Sequence, residues 1–145
     1  MDEVSERVEQ AFARTPRSGF LPERERHRAA EDGPLAIGDD QTNSQPSTVA
    51  AMLRLLDVRP GQLVLDVGSG SGWTTALLAD LVGPEGRVVG VEIVPELVEF
   101  ARANLRRAGV TNAEVLQADG SHGLPGEAPF DVIALSGSVA ELPDA

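Results

Sequence analysis

Residues 63–72 read Leu-Val-Leu-Asp-Val-Gly-Ser-Gly-Ser-Gly, and they decide the fold class of this chain. The run of leucine and valine predicts a buried strand of a parallel sheet. Three glycines on alternate positions follow it, and their missing side chains let the backbone approach a ligand closely. Residues 73–82 have helical spacing, so the glycines lie on a strand-to-helix turn, where free N–H groups carry partial positive charge. The stretch therefore predicts a binding loop for a nucleotide-like cofactor.

The spacing of the glycines narrows the choice of cofactor. The dinucleotide fingerprint is G-x-G-x-x-G, and here Trp73 stands where its third glycine would be. The next apolar run, residues 87–92, ends in Glu92, and an acid at that place can accept hydrogen bonds from both ribose hydroxyls. The two features together predict an adenosine-type site. A glycine-rich turn with a purely structural role is the alternative.

The rest of the chain alternates strands and helices. Strands are predicted at 63–67, 87–92, 113–117 and 131–136, and helices at 2–14, 46–57, 73–82 and from 95 to about 108, with a short helical piece at 22–29. This order predicts an α/β fold, a doubly wound Rossmann-like parallel sheet with right-handed crossovers, preceded by an N-terminal helical segment. Ligands bind at the carboxyl ends of such strands, where Gly68, Glu92 and Asp119 fall. The polar segment 31–47 is long for a connection, which indicates a functional loop.

Composition bounds the function classes. A length of 145 residues suits a single core, and a formal net charge of −11 argues against a nucleic-acid partner. The absence of cysteine excludes a thiol nucleophile and cysteine-ligated metal, and no metal site is expected. The first 25 residues are charged throughout and no apolar run reaches membrane-spanning length, so we expect no signal peptide, no membrane partner and a cytoplasmic location.

From Phe20 to Pro143 the chain resembles the protein-L-isoaspartate O-methyltransferase family of class I S-adenosylmethionine-dependent methyltransferases. Residues 66–72, Val91-Glu92 and Ala118-Asp-Gly120 are similar to the cofactor motifs of that family, although these pieces fit many methyltransferases. The discriminating pieces are Pro34-Leu-Ala-Ile-Gly38 and Gln41-Thr-Asn-Ser-Gln-Pro46.

The resemblance implies a function and a set of site residues. The implied reaction is methyl transfer from S-adenosyl-L-methionine to an isoaspartyl carboxylate in damaged proteins or peptides. Ser44 matches the active-site serine of the family, which makes it the catalytic candidate. The implied cofactor-binding residues are Gln41, Thr42, Asn43, Asp66, Gly68, Ser69, Gly70, Gly72, Glu92, Asp119 and Gly120. The implied domains are an N-terminal helical segment with a substrate-side loop (1–45) and a partial methyltransferase domain (46–145).

Several alternatives stay open at this point. Ser44 could be a helix cap ahead of Pro46, Asp119 could stabilise a turn, and Trp73 could wall the cofactor or simply pack. His122 is expected to face solvent. Asp40, Asn43 and Ala30 depart from the family pattern. The departures at Asp40 and Asn43 leave room for methylation of a small molecule, and a truncated, non-catalytic cofactor-binding module is the third hypothesis.

The resemblance also raises an expectation about the sheet edge. The family continues through three further strands, whereas this sequence reaches Ala145 soon after its fourth predicted strand. The strand at 131–136 would then present an open apolar edge, which templates association with another chain. We therefore expect the isolated chain to self-associate or to need a partner, and to have little activity alone.

Overall fold

A computed structural model describes residues 2–119 and 129–136. The predictions on Gly120 and His122 lie outside these residues. The helices are α1 (Glu3–Arg14), α2 (Pro46–Leu56), α3 (Trp73–Val82) and α4 (Pro95–Arg107), with 3₁₀ turns at Arg17–Phe20 and Glu23–Arg28. The strands are β1 (Leu35–Gly38), β2 (Gln41–Asn43), β3 (Leu63–Val67), β4 (Arg87–Glu92), β5 (Ala113–Gln117) and β6 (Val132–Leu135).

Four of the strands form one parallel sheet in the order β5-β4-β3-β6. The register places Leu65 opposite Val89 on one side and opposite Ile133 on the other. Because all four strands run the same way, their carboxyl ends meet at one edge of the sheet, and Glu92 and Gln117 lie side by side there. The predicted doubly wound α/β sheet is confirmed.

The core lies between this sheet and the helices. Val64 and Leu65 of β3 are both at most 1% exposed, as the unbroken apolar run predicted. Helix α3 is buried on nearly every side because it packs between the sheet and α1, whose Val8 and Ala11 join the same core. The N-terminal segment is thus fixed beside the helix that follows the glycine loop.

Most helix boundaries follow the signals in the sequence. Helix α1 begins after Asp2, whose carboxylate accepts a hydrogen bond from the Ser5 amide over 2.7 Å. Helix α4 begins at Pro95, which has no N–H to leave unpaired in the first turn. The helical piece expected at 22–29 is a 3₁₀ turn over Glu23–Arg28. Within the described residues, no helix combines the length and apolar character that a membrane crossing requires.

The segment 31–47, predicted as a long loop, contains an antiparallel hairpin of β1 and β2. Its turn is Asp39-Asp40, and both residues have positive φ, 52° and 58°, as a type I′ hairpin turn requires. Alternate residues Leu35 and Ile37 are buried against Leu21 and Leu97. The prediction missed the hairpin because only two apolar residues alternate in it and its turn is Asp-Asp rather than Asn-Gly.

Candidate active site

The glycine loop wraps over the carboxyl end of β4. The amides of Gly68 and Ser69 both donate to the Val91 carbonyl, over 2.9 and 3.1 Å. The Gly72 amide donates back to the Ser69 carbonyl over 2.8 Å, which closes the turn into α3. The loop is therefore fixed to the strand that ends in Glu92, and the first turn of α3 points its free N–H groups at this edge of the sheet.

Glu92 lies beside this loop, where the ribose acid was predicted. Its Oε1 accepts a hydrogen bond from the Gly70 amide over 2.9 Å, and its Oε2 accepts one from the Val94 amide over 3.1 Å. The residue is 7% exposed, so the two bonds hold the carboxylate in a single orientation. A carboxylate offers about four acceptor positions, so about two stay available for a pair of hydroxyl donors.

Two glycines of the loop are required by close packing as well as by backbone conformation. Gly70 and Gly72 have φ of 54° and 90°, a region that side chains disfavour. A Cβ at Gly70 would lie 3.3 Å from Ile37 Cδ1 of the hairpin, and one at Gly72 would lie 3.2 Å from Ala101 Cβ of α4. The glycines thus let the hairpin and α4 close on the loop from both sides.

Ser69 supplies an unsatisfied polar atom in the loop. It is 4% exposed, and its buried hydroxyl oxygen has no hydrogen-bond partner among the residues that the structure describes. Buried polar atoms without a partner are rare. A Cβ added at Gly90 of β4 would lie 3.3 Å from this oxygen, so the Ser69 hydroxyl faces the strand beneath the loop. The groups that fit an adenosine-type cofactor with charged groups are therefore the oriented Glu92 carboxylate and the N-terminus of α3.

Asp66 lies beneath the loop and has no exposed surface. It accepts hydrogen bonds from the Thr75 hydroxyl, over 2.8 Å, and from the Ser136 hydroxyl. Burial raises the pKa of this carboxyl to about 6; the two hydroxyl hydrogen bonds lower it and the Glu92 charge raises it further. The Asp66 side chain thus connects β3 to α3 and to the end of β6. These hydrogen bonds stabilise the conformation of the loop above it.

The hairpin and the residue after it carry three predicted cofactor-binding residues and the predicted catalytic residue: Gln41, Thr42, Asn43 and Ser44. Gln41 and Thr42 are exposed on β2, and Ser44 is half-buried directly after it. The side chain of Asn43 points the other way: it is 6% exposed and is hydrogen-bonded to Arg17 and Ser71. Its amide is therefore occupied by the protein, which the sequence alone did not indicate.

Ser44 does not cap the helix that follows it. The N-cap position of α2 is Gln45, and the Ser47 amide in the first turn donates to the Asp32 carboxylate over 2.9 Å. The Ser44 hydroxyl makes no hydrogen bond with any residue that the structure describes, whereas its carbonyl accepts one from Arg17. The cap alternative is thus excluded, and the hydroxyl is available to a ligand.

The residues predicted to contact the adenine follow the carboxyl end of β5. Asp119 is exposed, two residues past the end of β5, and the neighbouring Ala118 amide donates to the Glu92 carbonyl over 3.1 Å. Ile93 follows Glu92 and is 65% exposed, an unusual position for a large apolar side chain. Ile93 was not among the predicted site residues, although an apolar residue directly after the acid at a strand tip is a signal that could have indicated it.

Trp73 packs and does not line the site. It is 2% exposed, its indole N–H donates to the Thr15 carbonyl over 3.0 Å, and its ring meets Phe12 edge-on at 5.3 Å between centroids.

In the described part of the chain, no group of three or more His, Asp or Glu side chains is arranged to hold a metal ion.

Comparison with known proteins agrees with this geometry. The family model described as protein-L-isoaspartate(D-aspartate) O-methyltransferase matches residues 3–145. The protein-L-isoaspartate O-methyltransferase of Methanothrix thermoacetophila is 49% identical over 97% of this chain and 67% of its own length. That of Aeropyrum pernix is 51% identical over 97% of this chain and 54% of its own length.

Solved structures show the same fold. A protein-L-isoaspartate O-methyltransferase superposes with a TM-score of 0.88 and 34% identity, over 97% of this chain and 46% of that one. A putative protein-L-isoaspartate O-methyltransferase from Plasmodium falciparum, in complex with S-adenosyl-L-homocysteine, superposes with a TM-score of 0.82 and 28% identity, over 99% of this chain and 69% of that one. The chain spans about 54 to 69% of the length of the curated relatives that it matches. It belongs to the protein-L-isoaspartate(D-aspartate) O-methyltransferase family.

Proposed function

We propose that this chain binds S-adenosyl-L-methionine and directs its methyl group to the side-chain carboxylate of isoaspartyl residues in proteins or peptides. The observation that carries the proposal is the seating of the β1–β2 hairpin on the glycine loop. Ile37 packs against Gly70, and Asn43 donates to Ser71, so the strand that leads to Ser44 lies against the predicted cofactor loop. Family membership supports the proposal, because the matched relatives are named protein-L-isoaspartate O-methyltransferases.

On this proposal the cofactor is held by groups that are already oriented. Glu92 accepts from the ribose hydroxyls, and Ile93 offers an apolar surface to the adenine. Asp119 and Gly120 complete the adenine side, and Asp66 acts beneath the loop as a positioning residue. When bound, S-adenosylmethionine supplies an electrophilic methyl group on a positively charged sulfur.

The residues around the acceptor have little acid–base work to do. A carboxylate with a pKa near 4 is ionised at neutral pH, so the acceptor needs no general base, and a neutral thioether leaves without an acid. The chain must instead hold the acceptor oxygen in line with the bond that breaks, which lowers the barrier by several kcal/mol. The free Ser44 hydroxyl donates a hydrogen bond to the acceptor carboxylate and orients it; it is not a nucleophile.

The side of β6 that faces away from β3 belongs to the proposal as well. Among the described strands β6 pairs only with β3, and Ile133 and Leu135 are 56% and 42% exposed. An apolar edge strand of this kind pairs readily with another chain. We therefore include self-association, or a separate partner at this edge, in the proposed function.

The test is methyl ester formation on an isoaspartyl peptide beside the same peptide with an aspartyl residue. The proposal expects ester on the isoaspartyl peptide alone. Ester on neither peptide, with S-adenosylhomocysteine still bound, would identify a non-catalytic cofactor-binding module. Ester on a small carboxylic acid but on neither peptide would identify a small-molecule methyltransferase.

Ser44→Ala separates the acceptor role from a structural one. Loss of a hydrogen bond to a charged group costs roughly 1.5–3 kcal/mol, so turnover should fall about tenfold to 150-fold. The affinity for S-adenosylhomocysteine and the melting temperature should stay unchanged. Ser47→Ala is the matched control, because the Ser47 hydroxyl is exposed and its partners, Gln45 and Asp32, are outside the proposed cofactor and acceptor residues. Equal losses in the two variants would contradict the role of Ser44.

A further inference from the structure

A chain of buried hydrogen bonds joins the acceptor-side hairpin to the glycine loop, and Asn43 is its central member. Asn43 Oδ1 accepts from Arg17 Nε, and Asn43 Nδ2 donates to Ser71 Oγ over 3.1 Å. Arg17 also donates to the Ser44 carbonyl over 3.1 Å. The backbone of Ser44 is thereby connected to the loop through two side chains.

Arg17 lies at one end of this series of hydrogen bonds, and it is held rigidly because it is a buried cation. It is 5% exposed, and burial lowers the pKa of its guanidinium, although Asp32 and Glu31 oppose the shift. All of its hydrogen bonds to described residues go to carbonyl oxygens, one of them the Asn43 side chain. Its guanidinium carbon also lies 5.6 Å from the centroid of the Trp73 ring. A buried charge held by this many acceptors cannot shift without losing several of them.

Ser71 is the other end, and it lies inside the predicted cofactor loop. It is 2% exposed, and its carbonyl accepts from Asn104 Nδ2 over 2.9 Å. The residue before it, Gly70, donates its amide to Glu92. The Ser71 hydroxyl thus lies one residue from the amide that holds Glu92, the predicted ribose acceptor.

We infer that Asn43 is a positioning residue through which occupation of the glycine loop orders the strand that carries Ser44. The inference rests on the proposed function, because it needs a ligand at that loop. Free-energy coupling of this kind is reciprocal, so an acceptor held at Ser44 tightens cofactor binding by the same factor. Asn43 therefore controls how strongly the conformational order of the hairpin depends on a ligand at the loop. It does not set the affinity of either ligand by itself.

The test uses backbone amide hydrogen exchange of the whole chain, with S-adenosylhomocysteine absent and at saturation. In the unmodified chain, the ligand should slow exchange both in the glycine loop and, by about fivefold or more, in residues 35–44. In Ser71→Ala the loop should still respond, but the hairpin should lose its response. A purely structural contact would alter exchange without ligand and leave the ligand-dependent change intact.

Thr48→Ala is the matched control, because it removes an exposed hydroxyl close to the hairpin that takes no part in the bonds from Arg17 to Ser71. At saturation this variant should keep the response of the hairpin. Asn43→Asp should keep it too, because a carboxylate accepts from Arg17 and from the Ser71 hydroxyl. The emission of Trp73, the only tryptophan, reports whether each variant retains its fold.

The outcomes separate the two claims. A hairpin that still responds in Ser71→Ala overturns the coupling while the proposed function stands. A loop that does not respond to S-adenosylhomocysteine in the unmodified chain overturns the proposed function, and the coupling with it. Loss of the hairpin response in Thr48→Ala as well would show that removing a hydroxyl outside this series of bonds has the same effect, and would also overturn the role of Asn43.

Discussion

At the scale of single residues, two buried acids, Asp66 and Glu92, lie near the C-terminal ends of the sheet strands. Their surroundings give the two carboxyl groups different properties. Asp66 has no exposed surface and accepts from the Thr75 and Ser136 hydroxyls, and burial raises its pKa to about 6. Glu92 accepts from two backbone amides, which orient it towards the loop. One acid therefore supports the loop from below, and the other faces the predicted ligand.

The raised pKa of Asp66 predicts a pH dependence of stability. Because the pKa in the folded chain, about 6, lies above the ordinary 3.8, the folded chain binds a proton in this interval that the unfolded chain has lost. The contribution of Asp66 is therefore complete below about pH 4 and is lost as the pH rises through 6; the difference corresponds to roughly 3 kcal/mol. Asp66→Asn should raise the melting temperature at pH 7.5 and change it little at pH 4.5. Equal changes at both pH values would contradict this origin.

Glu92→Ala should weaken the binding of S-adenosylhomocysteine. The lost hydrogen bonds to a charged group are worth roughly 1.5–3 kcal/mol, or about tenfold to 150-fold in the dissociation constant. Calorimetric titration measures this directly. Glu85→Ala is the matched control, because Glu85 is an exposed acid near the other end of β4. Similar losses in the two variants, or tighter binding of NAD than of S-adenosylhomocysteine by the unmodified chain, would contradict the ribose role.

The sequence predicted the position of these acids but not their environment. Glu92 could be placed at a strand tip because the apolar run before it ends there. The partners of Asp66 include Ser136, seventy positions away, and those of Asn43 include Arg17 and Ser71. Such partners depend on how distant segments pack, and no local pattern encodes them.

At the scale of secondary-structure elements, the long strands and helices were predictable because each repeats its pattern over several residues. Strand β4 and helix α3 were placed with the bounds that the structure has, since valine-rich runs and the Gly83-Pro84 break mark them clearly. The hairpin escaped prediction because its strands have four and three residues. This short hairpin nevertheless leads to Ser44 and packs on the glycine loop. The element with the weakest sequence pattern therefore contributes most to the candidate site.

The turn of this hairpin can be strengthened. Asp39 and Asp40 both have positive φ, which costs an aspartate more than an asparagine or a glycine, and their like charges are adjacent. The double substitution Asp39→Asn with Asp40→Gly should stabilise the chain by roughly 0.5–1.5 kcal/mol, seen as a rise of a few degrees in melting temperature. Asp40→Ala is the control and should lower the melting temperature, because alanine disfavours positive φ. A lower melting temperature in the double variant would show that the turn differs from type I′.

At the scale of the whole molecule, the sheet has two unlike edges. On one side β5 is exposed to solvent through polar side chains such as Gln117, and Glu114 is paired with Arg87 of β4. On the other side β6 presents Ile133 and Leu135. Charged side chains are a common protection of strand edges, and β6 has none among its four residues. The apolar edge is thus the surface through which this chain is expected to associate.

Sedimentation across a range of protein concentrations tests this expectation. The unmodified chain should associate as its concentration rises, because pairing along the side of β6 that no described strand covers adds backbone hydrogen bonds and buries Ile133. Ile133→Lys should shift the association to concentrations about tenfold higher or more, since a lysine on an edge strand opposes pairing. Leu55→Lys is the matched control: Leu55 is 87% exposed on α2, away from the sheet edge, so its replacement should leave the association unchanged. A monomer at every concentration, or an equal effect of the two lysines, would show that β6 is not the associating surface.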